Sequence, residues 1–170
     1  DPLAVAIEEA HQRGLRLEPT GSNDTVNVIG GSARNFVGAG VVGATIAGGG
    51  AGNFSGIVLS NRVEANFGTV SGGYLNAIQP NARYSTIGGG GRNTIQPVGN
   101  YATVAGGGQN AVDGQHSTIG GGGQNTIQPG ALYATLGGGS ENTIQPNSFF
   151  ATIPGGLRNS ATNHAFAAGY

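Results

Sequence analysis

Tyr101-Ala102-Thr103-Val104-Ala105-Gly106-Gly107-Gly108-Gln109-Asn110 is one statement of a phrase that returns along most of the chain. Its Thr recurs at Thr45, Thr69, Thr86, Thr103, Thr118, Thr135 and Thr152, and from Thr69 onward the steps are 17, 17, 15, 17 and 17 residues. Seven residues after each of the last six comes Asn76, Asn93, Asn110, Asn125, Asn142 or Asn159. A period of this size marks stacked coils, each of which buries its apolar face only against its neighbours. Within the phrase, period-2 alternation puts Ala102 and Val104 on one face and Tyr101 and Thr103 on the other, as in a strand. Gly supplies the turn, and Asn110, which tolerates the left-handed region, stands at the bend.

The phrase extends upstream. Asn27-Val28-Ile29-Gly30-Gly31-Ser32-Ala33-Arg34-Asn35 repeats it with Val28 in the Thr place, 17 residues before Thr45. Ser60 to Thr69 aligns with Gln109 to Thr118. Both are a shorter version lacking the Gln-Pro corner that recurs at Pro80, Pro97, Pro129 and Pro146, where no ladder N–H is required. Asn53 to Asn61 is an irregular piece, and Ala165-Phe166-Ala167-Ala168-Gly169 starts one more coil. The residue before Asn varies (Arg34, Leu75, Arg92, Gln109, Gln124, Glu141, Arg158), as a solvent-facing column does.

Composition excludes several classes. Gly is 35 of 170 residues, against a usual value of about 7%. It does not follow Gly-X-Y, so collagen is out. Charged residues are only 9%, and the glycines sit at fixed places in a repeat, which argues against disorder. Net charge is −1 and the seven cationic residues, all Arg, are scattered, so no nucleic-acid surface is expected. There is no Cys, hence no disulfide or thiolate site. The uncharged run between Arg34 and Arg62 is Gly-rich and carries the repeat phrase, which excludes a membrane span there.

Each long coil offers one aliphatic after Thr, one after Asn, and an aromatic near its end (Tyr84, Tyr101, Tyr133, Phe150). That is a thin core for one chain, and it leads to the expectation that three chains pool their faces around one axis. Residues 1–20 fall outside the repeat domain, 21–170. Leu3, Val5 and Ile7 alternate as in a strand, while Leu3, Ile7, Ala10 and Gly14 share a helical face. Both readings stand for residues 3–13. Leu15-Arg16-Leu17-Glu18 reads as a strand running into the array. Leu3, Val5, Ile7, Leu15 and Leu17 are the expected contacts for docking one subunit on the next.

The phrases at 101–110 and 117–127 resemble the Gly-Gly-Gly-x-x-Asn-Thr head repeats of bacterial trimeric surface proteins. More broadly they look like the YadA-like heads of trimeric autotransporter adhesins. In those heads a Val-Ala-Ile-Gly-type strand packs into a left-handed parallel β-roll shared by three chains. Ala102, Thr103, Val104 and Gly106 fill the matching places, as do Ala134, Thr135, Leu136 and Gly137, and Ala165 to Tyr170 resembles a segment that ends such arrays. The resemblance covers about residues 26–170. It departs from the family in its longer coil and in showing neither heptad stalk nor anchor barrel. It implies adhesion or fibre formation, with no catalytic residue to carry over.

Other sites are weaker than their structural readings. Gly88-Gly89-Gly90-Gly91-Arg92-Asn93-Thr94 lacks the Gly-Lys-[Ser/Thr] ending of a phosphate loop and recurs in every coil. Calcium-binding Gly-rich turns need an Asp in register, and Asp1, Asp24 and Asp113 are not. The Asn column reads as a hydrogen-bonded ladder, as stacked Asn form in repeated β structure. The Thr column raises ice binding, but Tyr, Phe and His share its face. His116 takes a Tyr place and reads as a packing residue. No acidic cluster of the kind that cleaves polysaccharides is present.

The expectation is therefore an all-β, parallel β-solenoid of about eight or nine coils, about 17 residues each, as a left-handed homotrimeric roll. Thr86, Thr103, Thr118, Thr135 and Thr152 with the six Asn form its structural repeat. It is expected to be extracellular or at the cell surface, without enzyme activity, cofactor or metal. Its partners are other copies in a trimer or filament, or a glycan or matrix protein.

Overall fold

In the computed structural model, the described residues are Val5, Glu9, 14–20 and 25–169. Six strands come first: β1 (Arg16–Pro19), β2 (Val26–Ile29), β3 (Phe36–Val37), β4 (Thr45–Ile46), β5 (Ala51–Phe54) and β6 (Ile57–Leu59). From Arg62 onward, two-residue strands alternate between two sheets. One sheet runs β1, β2, β4 and then Thr69–Val70, Thr86–Ile87, Thr103–Val104, Thr118–Ile119, Thr135–Leu136 and Thr152–Ile153. The other runs from β3 through Arg62–Val63, Ala77–Ile78, Thr94–Ile95, Ala111–Val112, Thr126–Ile127 and Thr143–Ile144 to Ser160–Ala161.

Neighbours in both sheets are parallel except β1 on β2, so the chain is a parallel β-solenoid of about eight coils. A third line of single bridges joins Tyr74, Gly91, Gly108, Gly123, Ser140 and Leu157 at the glycine corner. The spacing of the phrase is the register: Val28 pairs with Thr45, Thr86 with Thr103, and Thr135 with Thr152. The 15-residue coil keeps it too, with Thr103 opposite Thr118 and Val112 opposite Ile127. Its missing residues come out of the corner at Asp113-Gly114-Gln115, where a side chain on Gly114 would run into the Ala131 carbonyl.

The strands are short because each coil must turn after two residues. Thr faces out, the next aliphatic faces in, and glycine follows. At Gly107, φ is +81° and an added Cβ would collide with the Gly122 carbonyl of the next coil. The left-handed backbone and the close approach both demand glycine there.

The core lies between the two sheets and is closed within one chain. Ile87, Ile95, Val104, Val112, Ile119 and Ile127 are fully buried, as are Ala102, Ala134 and Ala151. Small residues fill a further inward column: Ala65, Ala82, Ala131 and Ser148. The aromatics do not contribute. Tyr84, Tyr101, Tyr133 and Phe150 are about half exposed, so each coil has two large core side chains rather than three. Buried Asn and small side chains complete a cross-section narrow enough for two aliphatics to fill. The shortage that motivated three pooled faces is thus met inside a single chain.

At the N-terminal end, β1 is a strand, as expected, but it lies antiparallel on β2 (Leu17 opposite Val28). Val5 and Glu9 are helical. Leu3, Ile7 and the rest of 1–13 lie outside the described residues apart from these two. The irregular piece is a hairpin: β5 pairs with β6, with Ser55 and Gly56 both at positive φ in a two-residue turn. At the other end, Phe166 bridges Thr152 and so begins one more rung.

Candidate functional site

Two ladders climb the solenoid. The first is polar and internal. Asn110 accepts the Asn125 backbone N–H at Oδ1 (3.0 Å), and its Nδ2 donates to the Gly106 carbonyl in its own coil (3.0 Å) and to Gly122 in the next (3.1 Å). Asn76, Asn93, Asn125 and Asn142 do the same with their own neighbours. Asn159 closes the series, donating to Gly155. Asn35 and Asn61 begin it below. These side chains are buried but for the half-buried Asn159, and burying an amide is tolerable only when its groups are paired.

The left-handed residue at this bend is the one before Asn, not Asn itself. Leu75, Arg92, Gln109, Gln124, Glu141 and Arg158 have φ of 54–60°. From Arg92 onward their N–H groups reach back to the preceding coil, as Gln109 does to Gly91 (2.9 Å). Asn is selected because its side chain reaches two turns of backbone at once.

The second ladder is aromatic and external. Phe67, Tyr84, Tyr101, His116, Tyr133 and Phe150 stack with centroids 4.8–5.3 Å apart and planes within 13° of parallel. His164 follows Phe150 at 5.6 Å, tilted by 33°. All seven have φ of 55–59°, an unusual backbone for bulky side chains. The stack and the N–H bonds to the coil below offset that strain, for example Tyr101 N–H to Arg83 (2.9 Å). His116 is the packing residue its Tyr-like place suggested. Ring faces inside the ladder are occupied by neighbouring rings, so solvent meets ring edges. A sugar, which stacks on an aromatic face, finds no free platform there.

The Thr column faces outward from the first sheet: Thr86, Thr103 and Thr152 are half-buried, and Thr118 and Thr135 exposed. Beside the Asn ladder runs the mixed column, in which Arg158 donates to Glu141 (2.7 Å). This pair holds the Glu141 carboxyl below its ordinary range and raises the Arg158 guanidinium. Asp113 goes the other way. Burial pushes its carboxyl up, partly countered by the Val98 N–H, and among the described residues its Oδ1 has no partner. Of the expected docking residues, Val5, Leu15 and Leu17 are exposed, while Leu3 and Ile7 lie outside the described residues.

The phosphate-loop resemblance dissolves in the geometry. Gly88 N–H is committed to Val104 and Gly91 N–H to Gly107, both at 2.9 Å. Amides used in the ladder cannot also cradle an anion. Among the described residues no three of His, Asp and Glu come together as a metal site, and no helix is long and apolar enough to cross a membrane. Sequence reasoning placed most of the aromatic column but not its continuity through Phe67 and His164. The signal was there: each stands two residues before a residue in the Thr place or its equivalent, Phe166. It also missed the hairpin, although Ser-Gly between Phe54 and Ile57 is a turn signature. Neither a known family model nor a curated protein matches the chain.

Proposed function

We propose that this chain is a non-enzymatic structural protein of the cell exterior, the self-assembling subunit or head of a bacterial surface fibre. The observation that carries this reading is the continuity of the two ladders. From Asn35 to Asn159 and from Phe67 to His164 the polar and aromatic side chains that repeat are engaged with their own copies one coil away. A surface organised this way supports a rod, and it fits the resemblance to YadA-like heads, in which three chains form a left-handed roll. In this reading the chain works as a homotrimer, and residues 1–20 join one subunit to the next through Leu3, Val5, Ile7, Leu15 and Leu17. The test is absolute mass by light scattering with electron microscopy, on the full chain and on a 21–170 deletion. Filaments or three-chain particles are expected from the full chain, with filaments lost on deletion. A single chain at all concentrations overturns self-assembly, and filaments that persist without residues 1–20 overturn the docking role.

A second reading has the lateral surface bind a glycan or matrix protein as an adhesin head. The exposed column Arg92, Gln109, Gln124, Glu141 and Arg158 favours it, since it presents varied donors and acceptors at a regular spacing. Binding to a glycan or matrix array that is lost when Arg92 and Arg158 become Ala supports this reading. A well-folded chain that binds nothing on such arrays removes it.

A further inference from the structure

The step from Thr45 to Thr69 is 24 residues, against 15 in the other coil of the shorter form, Thr103 to Thr118, and the nine extra residues, 51–59, are the β5–β6 hairpin. Its strands form a sheet of their own, joined to neither solenoid sheet. A two-stranded hairpin is marginal in water without an apolar face to pack. Here the apolar side chains point to solvent: Phe54 is 64% exposed, Ile57 57% and Val58 48%. At its base lies an apolar cleft of ≈ 540 Å³, lined by Gly49, Gly50, Leu59, Gly73, Tyr74 and Phe54 itself. Tyr74 occupies the corner position that the next coils give to Gly91, Gly108 and Gly123, and its ring lies over Gly91.

We infer that this hairpin and cleft are a second contact between neighbouring copies of the chain, the hairpin of one seating in the cleft of the next. The inference rests on the self-assembly reading above and adds this surface to the docking by residues 1–20. The occupant follows from three observations. Protruding apolar tip and apolar cleft are carried by the same chain, so a second copy supplies the complement of each. Neither the hairpin (Ala51 to Leu59) nor the cleft lining holds a charged residue, so an acidic or basic partner gains nothing there. Phe54, Ile57, Val58 and Tyr74 together expose on the order of 400 Å² of apolar surface, as large as the patches that mark interaction sites. That is about half of what one partner contributes to a standard interface.

The adjoining glycine corner can supply the rest of the contact. At Gly48, Gly72 and Gly106 an added Cβ would meet nothing closer than 3.9 Å, and the backbone is not left-handed. Nothing among the described residues requires glycine at those three places. A bare backbone there lets a neighbour approach closely.

The experiment uses the full chain, which has no native cysteine. A Phe54→Cys chain is mixed with a Tyr74→Cys chain, oxidised, and run without reductant, with Phe54→Cys plus Gln109→Cys as control. Phe54→Ser/Ile57→Ser and Gly72→Arg variants are sized by light scattering and melted by circular dichroism. A cross-link specific to the Phe54–Tyr74 mixture, and assembly weakened at least ~100-fold in both variants with melting unchanged, is the expected result. A wild type that assembles, with no specific cross-link and variants that assemble equally well, overturns this inference and leaves self-assembly standing. A wild type that remains a single chain removes both.

Discussion

The asparagine ladder and the aromatic ladder rise through the same coils, one rung per coil, yet they act by opposite means. Asn110 is buried, and each of its polar groups has a partner fixed by the fold. Tyr101 is half exposed, uses a backbone conformation that disfavours it, and gains from contact with rings above and below. Loss of a partner is expensive inside, because the groups left behind cannot reach water. Outside, water replaces much of what is lost. The same repeat therefore has one intolerant column and one adaptable column, and the sequences agree. The buried column is Asn at every rung from Asn35 to Asn159, while the exposed one accepts Phe, Tyr and His.

The sharpest way to break the comparison is Asn110→Ala. It strands the Asn125 N–H and the Gly106 carbonyl and takes one of two donors from the Gly122 carbonyl, which keeps the Gly108 N–H. The expected loss is about 3–5 kcal/mol, a fall in Tm of roughly 10 °C or more. A loss under about 1 kcal/mol in urea unfolding would show that the ladder is decorative. Next is a neighbouring pair of glycines. Gly107→Ala meets the Gly122 carbonyl at positive φ and should cost about 2–4 kcal/mol. Gly106→Ala, with open space and ordinary φ, should be neutral or stabilise by up to about 1 kcal/mol in the isolated chain. Equal effects would mean that inter-coil contact does not select glycine.

Tyr101→Ala removes two ring contacts and should cost about 1–3 kcal/mol, whereas Tyr101→His, which copies the His116 rung, should cost less than about 1 kcal/mol. Chemical unfolding of both variants decides whether stacking or mere bulk matters. The smallest effect is expected at Asp113. Its carboxyl is raised in the fold, so the folded state holds the proton more tightly and stability falls as pH rises above the ordinary carboxylate value. Asp113→Asn should raise Tm at pH 7 by roughly 1–3 °C and change little at pH 3. A larger gain at pH 3 would reverse the assigned sign.

Much of this was legible in the residues. Spacing alone paired Val28 with Thr45 and Thr103 with Thr118, because in a solenoid the period and the register are one quantity. The inward face of Ala102 and Val104 followed from alternation. The destination of the aromatics did not. A Tyr two residues before Thr lies on the outward face by alternation, but its chemistry suggested core, and only the coil-to-coil distance makes an outward stack favourable. The left-handed residue was also misplaced by one position. Local propensity favours Asn there, and the tertiary demand for a buried amide overrode it. Residues 51–59 carried no repeat, so their pairing rested on a turn signature inside an otherwise unreadable insertion.

By itself the sequence determined the coil length, the number of coils, the parallel pairing and the inward aliphatic columns. All of these follow from periodicity, which every copy of the phrase states again. Only the tertiary structure decided which polar column is buried, that the rings stack outside, that one chain closes its own core, and that the hairpin stands clear of it. Those outcomes depend on distances between coils, roughly the spacing of strands in a sheet. No single copy of the phrase contains that distance.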